Sequence, residues 1–285
     1  MAVERKEAGP TIAAARGAPR PFLKWAGGKT QLLPELLKRV PPTFRTYHEP
    51  FVGGGAFFFN LRPPRARLSD LNEQLIECYQ VVQSDIEALL RQLGTWQKHT
   101  DKDSFYRIRA LDAARLSPVK RAARMIYLNK TCFNGLHRVN RRGLFNVPYG
   151  RYKSPVVCDA SNLRTVSAVL QGVVLTAAPF ESVLEHAKPG DFIYFDPPYQ
   201  PLSATSSFTS YAQEAFAEEE QRRLGEVFKA LDKRGCRTLL SNSDTPLIRG
   251  IYAGYEAVTV FARRAINSKG DRRGRITELM VRNYQ

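Results

Sequence analysis

The chain has 285 residues, 43% of them hydrophobic, enough for one large packed domain or one domain with a sizeable insertion. Its 43 lysines and arginines against 27 aspartates and glutamates leave a formal net charge of +16, which favours a polyanionic partner, nucleic acid ahead of an anionic membrane. No apolar run nears the roughly 20 residues that cross a bilayer, no secretory apolar centre opens the chain, and four scattered cysteines without a CxxC pair argue against a zinc ribbon or disulfide scaffold and fit a reducing cytoplasm.

Residues 1–20, rich in Ala, Gly, Pro and charge, read as a disordered lead-in with four bases and two acids, so residues 21–285 carry almost all of the excess charge. "WAGGKT" at 25–30 lacks the glycine that a P-loop needs five positions before Gly28, because Leu23 stands there. It reads instead as a turn in which Lys29 offers a cation to a carboxylate and Trp25 an aromatic face. "TYHEPFVGGGAFFFN" predicts a strand, a glycine turn and a helix start, and "RARLSD" a second strand ending on Asp70. Gly53 and Gly55 fit the start of a dinucleotide fingerprint, but Phe58 occupies the third glycine position. A ligand-free tight turn is one reading. The other is a nucleoside site, with Asp70 accepting from ribose hydroxyls and no pyrophosphate to cradle.

Residues 73–128 carry helical periodicity, and 129–158 break into Gly, Asn and Pro, reading as loops with a hairpin. Within this stretch Ala113 to Cys158 contains no acid and ten bases, interleaved with Phe133, Leu136, Phe145, Tyr149 and Tyr152, more large apolar side chains than a merely solvated face needs. A second basic cluster, "RRAINSKGDRRGR" at 263–275, holds six bases and one acid. Two such patches far apart in sequence suggest two walls of a polyanion groove. The strand–helix alternation resumes with "VVLTAAPF", "FESVLEHA", "DFIYFD", a helix at "EEEQRRLGEVFKALDKRG" closed by Gly235, then strands "RTLLSNS", "AVTVFARR" and "ITELMVRNY". The pattern is an α/β sheet covered on both faces, interrupted by a mainly helical insertion at 72–158. His48, His99, His137 and His186 stand apart and suggest no metal site.

"FIYFDPPYQP" ends a buried strand on Asp196, at the sheet end where α/β proteins bind ligands. Pro197 and Pro198 have no N–H to donate, so the turn offers carbonyl oxygens, and Tyr199 adds a flat face. A proline turn that only ends a strand is the bland reading. The chemical one is an acceptor-only pocket for a planar base with an exocyclic amine: Asp196 and the Pro197 carbonyl each take an N–H, Tyr199 stacks, and the nitrogen lone pair becomes free to attack an activated methyl. Ser241 and Asn242 end a neighbouring strand and suit a structural or a ligand role.

The blocks "PFLKWAGGKTQLLPEL", "EPFVGGGAFFFN", "SDLNEQLIECY", "RAARMIYLNKTCFNGLHRVNRRGLFNVPYGRYKSP", "DFIYFDPPYQPLSATSSFTSYAQEAF" and "LLSNSDTPLI" follow one another in this order. On them the chain resembles the Dam family of DNA adenine-N6 methyltransferases, α group, over about residues 21–285. The resemblance implies a Rossmann-like methyltransferase core (21–71 and 159–285) with an inserted, mainly helical DNA-recognition domain (72–158). It implies S-adenosylmethionine as cofactor, S-adenosylhomocysteine as product, and no metal. Asp196, Pro197, Pro198 and Tyr199 would be catalytic, and Trp25, Lys29, Phe51, Gly53, Gly55, Asp70 and Asp196 would surround the cofactor. Lys24 and Arg138 would meet guanine edges. Phe133 and Asn134 would enter the base stack, Leu136 would touch a thymine methyl, and Asn146, Pro148 and Arg151 would line the groove. Adenine in GATC is the implied target, in double-stranded DNA and not at a membrane, with the protein a cytoplasmic monomer at a bacterial nucleoid or in a phage-infected cell. One departure is Pro179, where relatives often carry an Asp that contacts the cofactor. Cytosine-C5 transfer needs a cysteine, usually after proline, and no cysteine here follows proline. Cytosine-N4 transfer usually shows Ser, and RNA or protein transfer often Asn, at position 196. A non-catalytic DNA-binding protein would explain the charge but leave Asp70 and Asp196 without a role.

Overall fold

The computed structural model describes residues 17–199, 216–263 and 275–285. Most of the lead-in (1–16), the segment behind the proline turn (200–215) and the body of the second basic cluster (264–274) lie outside the described residues. The lead-in's last residue is held. The Arg20 backbone N–H donates to Asn162 Oδ1 (2.9 Å), Asn162 Nδ2 donates to the Arg20 carbonyl (3.0 Å), and the guanidinium pairs with Asp159.

The elements are α1 (Leu33–Leu37), β1 (Tyr47–Glu49), α2 (Ala56–Leu61), β2 (Ala66–Asp70), α3 (Glu73–Ser84), α4 (Ile86–Gln97), α5 (Lys102–Arg109), α6 (Pro118–Thr131), α7 (Ala160–Leu170), β3 (Val174–Ala177), α8 (Val183–His186), β4 (Phe192–Phe195), α9 (Glu218–Lys233), β5 (Arg237–Ser243), α10 (Pro246–Ile251), β6 (Glu256–Arg263) and β7 (Arg275–Arg282). The seven-stranded sheet has the order β3-β2-β1-β4-β5-β7-β6, parallel except for β7, which runs antiparallel to β5 and β6.

In β4 all four residues are buried, and successive side chains enter different cores. Phe192 and Tyr194 join the larger apolar cluster, Ile193 and Phe195 the smaller one on the other face. Period-two alternation between two covered faces is why the strand reads as an unbroken apolar run. Chain order reverses between β1 and β4, which opens a crevice at their C-terminal ends.

The helical stretch forms the crossover between the neighbouring strands β2 and β3. Parallel strands need such a crossover, and here five helices, α3 to α7, fill it. Helix α3 packs on β2 and β3 with one side and on α6 with the other. Its buried Leu75, Ile76, Tyr79 and Val82 belong to the same apolar cluster as Leu68 of β2 and as Ile126 and Tyr127 of α6. Side-chain caps start the helices: Asn72 accepts from Leu75 N, Asp101 from Ser104 N, and Ser117 from Lys120 N ahead of Pro118.

Candidate active site

Strand β4 delivers Asp196 to the crevice, with only 17% of its side chain exposed. Lys29 Nζ lies 2.8 Å from Asp196 Oδ1, and Ser241 Oγ donates to the same oxygen at 3.2 Å. Lys29 is itself buried; its ammonium also donates to the Gly27 carbonyl and sits 4.3 Å above the Tyr199 ring centre. Burial pushes the Asp196 carboxyl up to about 6, against the charge and hydrogen bond of Lys29; the negative charge of Glu278 raises it further and Ser241 lowers it. The expectation that Lys29 offers a cation to a carboxylate is met at Asp196.

Tyr199 is fixed by a residue the sequence reading did not single out. Its hydroxyl donates to Glu278 Oε2 at 2.6 Å. Glu278 reaches the crevice because β7 runs antiparallel to β5, placing it opposite Ser243. A carboxylate inside the otherwise apolar run "ITELMV" was the available signal. The proline turn has its own brace: Gln221 Nε2, on α9, donates to the Pro198 carbonyl (2.9 Å), and Asn242 Nδ2 donates to Gln221 Oε1 (2.9 Å). Asn242 therefore shores the turn, whereas Ser241 touches Asp196. Glu49, fully buried at the end of β1, is pushed up to about 8 by burial, with the Tyr47 hydroxyl at 2.7 Å opposing and the charge of Asp196 adding.

The glycine turn lies beside this corner. Gly53 and Gly55 have φ of +47° and +67°, which favours glycine at both. A Cβ on Gly53 would come 2.8 Å from Trp25 Cδ1, and one on Gly55 2.7 Å from Tyr79 Oη. Asp70 closes the turn: Gly53 N–H donates to its Oδ2 and Asn72 N–H to its Oδ1, both at 3.0 Å. The Leu71 backbone N–H adds to these contacts, and burial raises the carboxyl above its ordinary range against all three. Phe51 stacks on Phe180 at 5.5 Å. An acceptor at the end of β2, a cramped glycine turn after β1 and half-buried flat rings fit a nucleoside-bearing sulfonium. Phe58, at the missing third glycine, is a core residue of α2. Pro179 is exposed and opens the short 3₁₀ turn Phe180–Ser182.

Apart from Lys24, the predicted DNA residues fall on one hairpin-like excursion after α6 and just behind it. It is closed by bridges Cys132–Tyr149 and Val139–Phe145, and the Phe133 N–H donates to the Pro148 carbonyl. Phe133 is 50% exposed at its base, next to the closing Cys132–Tyr149 bridge, beside exposed Asn134, whose φ is +56°. Leu136 is half-buried. Exposed Arg138 donates through Nε to Asn146 Oδ1 at 2.7 Å, and exposed Arg151 has φ of +56°. Lys24 arrives from the N-terminal block and lies over Tyr152 at 5.4 Å. With Lys130, Tyr152 and Lys153 it lines an open cavity of about 400 Å³. The ten bases of this stretch divide. Arg121 pairs with Glu77 and Arg124 donates to the carbonyls of Ile108 and Arg109, so both brace the helices, while Arg138, Arg141, Arg142, Arg151 and Lys153 are exposed.

Among the described residues no helix is long and apolar enough to cross a membrane, and no group of three or more His, Cys, Asp or Glu could hold a metal ion. The family model for D12 class N6 adenine-specific DNA methyltransferases matches residues 25–266. Similar proteins include a type II methyltransferase of Lactococcus lactis subsp. cremoris, 42% identical over 271 residues (93% of this chain, 95% of the relative). A type II methyltransferase of Methanocaldococcus jannaschii is 43% identical over 286 residues (93% and 99%). The DNA adenine methylase of Escherichia coli is 37% identical over 265 residues (92% and 94%).

Proposed function

The chain belongs to the D12 class of N6 adenine-specific DNA methyltransferases, and from that premise we propose that it methylates the N6 amine of an adenine turned out of duplex DNA at GATC, with S-adenosylmethionine as donor. The observation that carries the reading is the corner where Asp196, Lys29, Ser241 and Tyr199 meet beside the glycine turn.

The bound cofactor supplies an electrophilic methyl on a sulfonium. Asp70 would accept from the ribose hydroxyls, and Trp25 and Phe51 would frame the site. Among the described residues the contacts to Asp196 fall on Oδ1, so Oδ2 is the acceptor we assign to one N–H of the adenine amine, with the Pro197 carbonyl for the other. Tyr199, locked by Glu278, stacks on the base. Gripping both N–H groups localises the nitrogen lone pair. Asp196 would stabilise the positive charge that grows on nitrogen as it takes the methyl, and one N–H proton would then pass to solvent. Lys29 keeps the buried carboxylate ionised until the base arrives.

Arg138 and Lys24 have the chemistry to read guanine edges, and the exposed pair Phe133 and Asn134 is the wedge we assign to the base stack. "Type II" in the names of two relatives supports a modification enzyme paired with a restriction endonuclease. The experiment is methyl transfer from labelled cofactor to duplex DNA, followed by digestion of treated plasmid with endonucleases that respond oppositely to adenine methylation in GATC. Protection at another sequence overturns the target, and label on cytosine or RNA overturns the substrate.

A further inference from the structure

Asn129, near the end of α6, is 3% exposed, so its side chain does not itself meet the bases. Its side-chain amide joins two segments that we assign to DNA contact. Lys24 N–H donates to Asn129 Oδ1 at 2.8 Å, and Asn129 Nδ2 donates back to the Lys24 carbonyl at 2.8 Å. The remaining N–H of that amide donates to the Gly135 carbonyl at 2.9 Å, inside the turn that carries Phe133, Asn134 and Leu136. One buried side chain thus bonds both backbone groups of one segment and a backbone group of another.

The two segments are fitted to each other. Gly135 has φ of +66°, and a Cβ there would come 2.4 Å from Lys24 Cδ, so the turn lies directly against the lysine stem. One residue beyond Lys24 and two beyond Gly135, Trp25 stacks on His137 with ring centres 5.0 Å apart and planes 24° apart. Four residues beyond Trp25 the same block places Lys29 on Asp196.

We propose that Asn129 is a positioning residue for sequence discrimination: it fastens the Lys24 backbone to the recognition turn, so that Lys24, Leu136 and Arg138 meet the bases as one rigid edge. The inference rests on the reading of that edge as the DNA-contacting surface. A buried amide with its hydrogen bonds satisfied fixes geometry more tightly than apolar packing does, and base discrimination depends on donors held to a fraction of an ångström. A side chain that only filled space would affect every duplex alike.

The test uses the purified full chain with Asn129→Asp, which keeps the acceptor for Lys24 N–H and loses both donors, and with Gly135→Ala, which pushes on Lys24 from the other segment. For each variant, kcat/KM for methyl transfer is measured on the cognate duplex and on a duplex with one base pair of the site altered, with thermal unfolding recorded alongside. The expected result is that the ratio of the two kcat/KM values falls at least about 10-fold, the scale of one lost base-reading contact, mainly through loss on the cognate duplex. A folded variant of either kind that keeps the wild-type ratio, or loses activity equally on both duplexes, overturns the proposal. Absence of adenine methylation by the wild-type chain instead overturns the functional reading beneath it.

Discussion

Replacing Asp196 by Asn removes the carboxylate that we assign to the chemistry, and the burial of that carboxylate predicts that the same change strengthens the fold. An aspartate in an unfolded chain ionises near 3.9; in the folded chain burial pushes Asp196 up to about 6. Well below pH 4 the group is neutral in both states and costs nothing, and near pH 4 the cost is still small. As pH rises from 4 to 6 the unfolded chain releases the proton more readily, so the folded state loses stability, and above 6 the full cost is present. At about 1.4 kcal/mol per pH unit this cost is about 3 kcal/mol. The Asn side chain resembles the protonated acid, and its amide oxygen can keep the Lys29 hydrogen bond. The assay is urea unfolding of both proteins from pH 4 to pH 7, a range in which folded Glu49 stays largely protonated and contributes alike to both proteins. The variant should match wild type near pH 4 and exceed it by up to about 3 kcal/mol at pH 7, while methyl transfer falls at least about 100-fold. A difference that does not change with pH, or a variant weaker than wild type at pH 7, would refute the claim that this carboxylate is held ionised at a cost to the fold.

Lys29→Met takes away the charge and hydrogen bond that hold Asp196 down, so the acid limb of the kcat/KM profile should move above pH 6; an unmoved limb would mean that Asp196 is not the titrating group. Glu278→Gln keeps an oxygen for the Tyr199 hydroxyl but removes a negative charge that raises Asp196, so the same limb should move to lower pH. Arg138→Ala should relax discrimination at one base pair by about 1–3 kcal/mol, and equal weakening at all sequences would assign it to phosphate. DNA affinity should fall steeply as salt rises from 50 to 200 mM, by roughly a thousandfold for about six phosphate contacts; a flat titration would contradict the basic interface.

Local pattern and punctuation determined much of this protein. The apolar run into Asp196, the glycine turn after a short strand and the acid closing the next strand each write their backbone geometry into adjacent residues. Strands β1, β2, β4 and β5 and helix α9 were legible for that reason, and so were Asp70, Asp196 and Lys29. Helix α7 was not singled out, since "ASNLRTVSAVL" carries several weak helix formers. Asp159, accepting from Asn162 N–H, and packing on α3 and α4 decide it.

What only the tertiary structure decided are the pairings between residues far apart in the chain. Glu278 meets Tyr199 because an antiparallel strand is appended to a parallel sheet. Gln221 and Asn242 brace the proline turn across two elements. Asn129 joins Lys24 to Gly135 across 105 and 6 positions. The division of the bases is of the same kind, since Arg121 and Arg124 look identical to Arg138 until Glu77 and the carbonyls of Ile108 and Arg109 claim them. A buried polar group is stable only when its partner is in place, and the identity of that partner belongs to the packed molecule, because no local pattern encodes a contact made across the fold.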